Sequence, residues 1–159
     1  MVTLLMLEVI DQHGKVRDLA ALAHPCYISA HGNELVVESS GGQLSRYTQG
    51  GEGEVFHKLE RPSTGFAIDA EGNIYVGGSW DKDNISLIHK ISKTGEASVY
   101  ITGGRAGKLG VLGYIGNGYL IFAQDNDILT LWQSANMSFV RKTAYPGFVA
   151  VRRDFNFPG

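Results

Sequence analysis

Two acidic clusters, Asp81-Lys82-Asp83-Asn84 and Asp125-Asn126-Asp127, hold the side chains best suited to chemistry. Carboxylate and amide oxygens this close together suit Ca2+, a hard cation bound through oxygen. Neither cluster has the central glycine and distal glutamate of a helix-flanked calcium loop. Asp and Asn are equally the ordinary residues of hairpin turns, so turn formation and ion binding both stand. If an ion binds, its ligands are Asp81, Asp83, Asp125 and Asp127. Trp80 and Trp132 offer flat surface on which a sugar or aromatic ligand can stack, or which can pack between sheets.

The remaining reactive groups form no constellation. His13, His24, His31, His57 and His89 are scattered without metal-ligand spacing. His89 is in phase with Ile85, Leu87 and Ile91 and reads as a partly buried, hydrogen-bonded side chain. Cys26 is the single cysteine, which excludes an internal disulfide and a cysteine-ligated zinc site. Beside Tyr27 and Ile28 it reads as a packed thiol, with no base at hand to activate it. The glycine-rich stretches Gly50 to Gly53 and Gly103 to Lys108 precede no helical pattern and lack phosphate-loop spacing, so they read as strand connections.

The elements that position these residues are legible in Gly65 to Gly78, GFAIDAEGNIYVGG. Phe66, Ile68 and Ala70 alternate with Ala67 and Asp69, the period of a pleated strand. Glu71-Gly72-Asn73 forms a turn, because Gly and Asn accept a positive φ, and Ile74-Tyr75-Val76 resumes a β-prone run. Looser copies occur at His24 to Ser40, with the turn Ala30-His31-Gly32-Asn33, and at Gly110 to Gln124, with the turn Gly116-Asn117-Gly118. First strands begin at Pro25, Gly65, Gly110 and Gly147, and outer turns fall at Gly14, Gly53, Gly95 and Asn136. Both markers recur about every 41 residues, the length of a four-stranded propeller blade.

The chain opens on an outer hairpin, Leu4 to Leu22, and closes on a first strand, Gly147 to Gly159, with Phe155 to Phe157 as a stub of the next. First and last segments are thereby expected to share a blade. The fold expected is all-β: a β-propeller-like repeat of four-stranded blades, about three complete and one split between the N- and C-termini, in a single domain over 1–159.

Ile68 to Gly78, IDAEGNIYVGG, followed by Lys93-Thr94-Gly95, resembles the blades of the NHL and gluconolactonase-like β-propellers. The WD-repeat signature is absent, since Trp80-Asp81 follows a second strand rather than closing a blade. The resemblance implies six to eight blades, and this sequence supplies about four. A small closed ring, a half-ring completed by a second copy, and a fragment of a longer chain are the three readings, with a homodimer expected. A gluconolactonase-like enzyme would hold a divalent metal in its channel to polarise a lactone and activate water. Asn33, Glu34 and Asn73 fall at turns, so no catalytic residue carries over.

Composition sets the outer limits. Hydrophobic residues make up 43% and charged residues 19% of 159, which fits a globular chain with a core. The 21 glycines fit many tight turns. A net charge of −2, with Arg141-Lys142 and Arg152-Arg153 the only basic pairs, disfavours nucleic acid. The start, MVTLLMLEVIDQ, lacks the basic segment and cleavage site of a signal peptide and reads as a strand. No stretch is long enough to span a bilayer. The expectation is a cytoplasmic, non-catalytic scaffold that binds a protein or small ligand, with no cofactor except Ca2+ at the acidic clusters. The alternative is a divalent-metal-dependent lactone or ester hydrolase.

Overall fold

The computed structural model describes residues 4–11, 13–80, 86–102, 109–116, 119–124, 127–131 and 137–142. All of the described regular structure is β-strand, and no described helix is long and apolar enough to cross a membrane. The strands fall into two compact units, Met1–Pro62 and Ser63–Gly159.

The first unit opens with β1 (Leu4–Ile10) and β2 (Val16–Ala23), an antiparallel two-stranded sheet. Its turn is held by Asp11, whose carboxylate accepts from the backbone N–H groups of His13 (2.8 Å) and Lys15 (3.0 Å). Gly14 takes φ +79° there, a conformation costly for any residue with a Cβ. Next come β3 (Pro25–His31), β4 (Glu34–Ser39), β5 (Gln43–Thr48) and β6 (Gly53–Lys58), which pair in sequence order as a four-stranded antiparallel meander. The core of this unit is Leu19, Leu22, Val36, Val37 and Leu44, with the Glu38 carboxylate buried among these strands. The opening hairpin is tied to the β5–β6 turn: the Arg17 guanidinium donates to the Gln49 carbonyl at 2.8 Å. β6 begins at Gly53 itself, which pairs with Tyr47 and, lacking a Cβ, leaves room for that ring.

The second unit contains β7 (Phe66–Ile68), β8 (Ile74–Trp80), β9 (Ser86–Ile91) and β10 (Ala97–Thr102), again a meander in sequence order. A further meander follows: β11 (Leu109–Gly116), β12 (Tyr119–Gln124), β13 (Asp127–Leu131) and β14 (Met137–Lys142). β11 packs against β7, β8 and β9. Ala67, Tyr75, Ile88 and Leu120 form the core there, with Tyr100 and Tyr114 laid against it. Consecutive residues Ile74, Tyr75 and Val76 are all buried, so both faces of β8 are covered. The β8–β9 register shifts between Val76 and Ser79, a β-bulge at Gly77-Gly78. Gly78 has φ +90°, and a Cβ on it would lie 2.8 Å from the Thr64 backbone nitrogen, so only glycine fits.

The expected four-strand repeat is therefore present in three sheets. The expected outer turn at Asn136, the final first strand from Gly147 and the connection Gly103 to Lys108 lie outside the described residues.

Candidate functional site

The ionisable groups that the described structure brings together in the second unit centre on Asp69. This residue follows β7, where the chain must reverse into β8. It is buried at 2% exposure, and every lone-pair direction of its carboxylate is engaged. Oδ1 accepts from the backbone N–H groups of Glu71 (3.1 Å) and Asn73 (2.8 Å). Oδ2 accepts from the Asn73 side-chain amide (2.8 Å) and the Tyr75 hydroxyl (3.1 Å). The backbone closes the same turn: Gly72 N–H donates to the Asp69 carbonyl, and Asp69 N–H to the Asn73 carbonyl. Gly72 has φ +87°, which supplies the left-handed step.

Aromatic rings surround this knot. Tyr75 and Tyr100 meet edge to face, with centroids 4.8 Å apart and planes at 68°. The Lys90 ammonium lies 5.6 Å from the Tyr75 ring centroid, within cation–π reach. Burial raises the Tyr75 phenol well above its ordinary pKa, and the Asp69 charge and hydrogen bond raise it further. The Tyr100 phenol is also raised, first by burial and then by the Asp69 charge. Chemically, this arrangement is a latch. A general base or metal ligand needs a free lone pair, and Asp69 has none left after its four donors.

The acidic and aromatic candidates stand elsewhere. Trp80 is the last residue of β8, opposite Ser86 in register. Asp127 is the first residue of β13, opposite Gln124 and Lys142. Asp81, Asp83, Asp125 and Trp132 lie outside the described residues. β8 and β9, and likewise β12 and β13, are the second and third strands of successive sheets. Among the described residues, no three His, Cys, Asp or Glu side chains converge to hold a metal ion.

Two sequence readings need correction or completion. Cys26 is exposed rather than packed, its thiol reaching back to the His24 carbonyl at 3.5 Å. The alternation of β3 puts Cys26, Ile28 and Ala30 on the face that is open, and Tyr27 and Ser29 on the face that is partly covered. His89 is half-buried between the buried Leu87 and Ile91, as its phase requires. Asp69 is the residue that sequence reasoning passed over. The signal was the Asp-x-x-Gly-Asn-x-Tyr spacing, which sets one carboxylate within reach of a turn and of a ring six residues on.

The chain matches no protein-family profile and no curated protein sequence. It is similar in structure to virginiamycin B lyase from Staphylococcus aureus, at 14% identity and a TM-score of 0.65. That match covers 89% of this chain and 50% of the lyase chain. A catalytically inactive variant of that lyase with quinupristin matches at 17% identity and a TM-score of 0.51, over 89% of this chain and 64% of the other. The chain thus spans about half to two thirds of the length of the structures it resembles. These neighbours are β-propeller proteins, and the likeness, together with the repeated four-stranded sheets, identifies the fold as propeller-type.

Proposed function

We propose that this chain is a non-catalytic propeller-type binding module. The connections between its second and third strands carry Trp80, Asp81, Asp83, Asp125 and Asp127 as the groups that meet a protein partner or small ligand, and Trp132, which follows a third strand, is a separate aromatic contact. The observation that supports this reading is the complete hydrogen-bonding of Asp69. The buried Asp69 carboxylate serves the fold, and the connections carry turn residues and an aromatic side chain. Ca2+ is the ion their oxygens would take. Calorimetric titration tests this part: millimolar or tighter Ca2+ binding, lost in Asp83→Ala or Asp125→Ala, is the supporting result. An unchanged titration in both variants removes the metal from the proposal.

The likeness to virginiamycin B lyase favours one competing reading, that of an enzyme, which meets the metal-dependent lactone or ester hydrolase implied by the sequence resemblance. The two are separated by incubating the chain with quinupristin and, separately, with a simple sugar lactone, each with and without divalent metal. The binding-module reading predicts that both compounds survive at the uncatalysed rate. Metal-dependent loss of either one, followed by mass spectrometry, overturns it.

A further inference from the structure

We infer that β1 is a self-pairing edge, and that its partner is β1 of a second copy of this chain. Three of the described sheets have four strands, whereas β1 and β2 form a sheet of two. A two-stranded hairpin is marginal by itself in water. Among the described residues, β1 pairs with β2 along one edge only. Its sequence, LLMLEVI, is apolar apart from Glu8 and has none of the lysines or prolines that usually blunt an edge strand. Leu4, Leu5, Met6 and Ile10 are 60%, 49%, 51% and 68% exposed, an unusual run of open apolar side chains for one strand. The bulge in this sheet spares β1. Leu7 pairs with Ala20 and Glu8 with Asp18, so the extra residue is Leu19 on β2, and β1 offers a regular outer edge.

The occupant follows from the strand's own pattern. Antiparallel pairing of β1 with its copy about a two-fold axis at Leu7 sets Leu4 against Ile10, Leu5 against Val9, Met6 against Glu8, and Leu7 against itself. No like charges then face each other, whereas an axis at Glu8 would oppose two carboxylates. The product is a four-stranded antiparallel sheet in the order β2, β1, β1 of the copy, β2 of the copy. It restores the strand number of the other three sheets, and its interface is self-complementary, as a two-fold dimer demands.

Light scattering on the full chain, across micromolar to millimolar concentration, is expected to show twice the 17.3 kDa chain mass. Leu7→Lys puts two ammonium groups together at the axis and is expected to halve that mass. Met6→Lys puts a lysine opposite Glu8 of the copy and is expected to leave it unchanged. A second test does not depend on tolerance of a buried charge. In a Cys26→Ser background, Leu7→Cys places two thiols on strands about 4.5–5.5 Å apart at Cα, within disulfide range. Mild oxidation should give a covalent dimer from Leu7→Cys and none from Val16→Cys, which lies on β2. A wild-type chain that stays at the monomer mass, the result expected if the chain's own segment from Gly147 to Gly159 pairs with β1 instead, or cross-linking at Val16 as readily as at Leu7, overturns the proposal.

Discussion

Replacing Asp69 with alanine should be among the most damaging single changes in the second unit. Asp69→Ala removes the acceptor for two backbone N–H groups, one side-chain amide and one phenol. The first three sit in partly buried surroundings, where water replaces part of what is lost; about 0.5–1 kcal/mol each is a fair weight. The Tyr75 hydroxyl is buried and would keep no acceptor, which costs about 1–3 kcal/mol. The total is roughly 2.5–6 kcal/mol, centred near 4. Tyr75→Phe removes only one of the four bonds and leaves Asp69 with three donors, for a loss of about 1–1.5 kcal/mol. The double variant removes the orphaned hydroxyl as well, so it should be no less stable than Asp69→Ala alone. Both tryptophans of the chain, Trp80 and Trp132, belong to the unit that holds Asp69, so their fluorescence follows its unfolding in urea. For an m-value of about 2 kcal/mol per molar, the midpoint of Asp69→Ala should fall by about 2 M. Additive losses in the double variant, or an Asp69→Ala loss no larger than that of Tyr75→Phe, would refute the latch.

Further consequences follow from the same geometry. The folded chain holds the Tyr75 and Tyr100 protons to higher pH than the unfolded chain does. Their contribution is therefore complete below about pH 10 and is lost as pH rises above it, by up to about 1.4 kcal/mol per pH unit for Tyr75 and less for the half-exposed Tyr100. Urea melts between pH 9 and 11 should show this slope, reduced in Tyr75→Phe. Gly78→Ala combines a strained φ with a clash on Thr64 and should cost about 2–4 kcal/mol; Gly32→Ala has open space and should cost about 1 kcal/mol from φ alone, both read by thermal melts. Exposed Cys26 should react with a thiol reagent in the native chain as fast as in urea; protection in the native chain would restore the packed-thiol reading.

Much of the fold was readable because alternation and turn chemistry are local. Gly72-Asn73 and Gly32-Asn33 mark reversals wherever they stand, and the apolar runs between them have the length of strands. Period and strand order followed from these alone. What was not readable depends on what covers each face. Alternation says that Cys26 and Tyr27 point opposite ways, but not which side is packed, and the exposed side of β3 took Cys26. The same holds for β1, whose leucines look like core in the sequence and are open to water in the structure. Asp69 was hidden for a different reason. A lone aspartate before a turn looks like an ordinary turn residue, and its link to Tyr75 becomes visible only when the strand has turned back on itself.

One strand-turn-strand unit sets the same register in each of the three described four-stranded sheets. Val36 opposite Arg46, Val76 opposite His89 and Ile121 opposite Thr130 are the equivalent second-to-third-strand pairs. Cross-strand nuclear Overhauser contacts on the labelled chain measure all three at once. A backbone contact is expected for each pair. Contacts displaced by one residue in any sheet would turn its buried side chains to the opposite face, and would contradict the repeat on which the fold and the candidate site both rest.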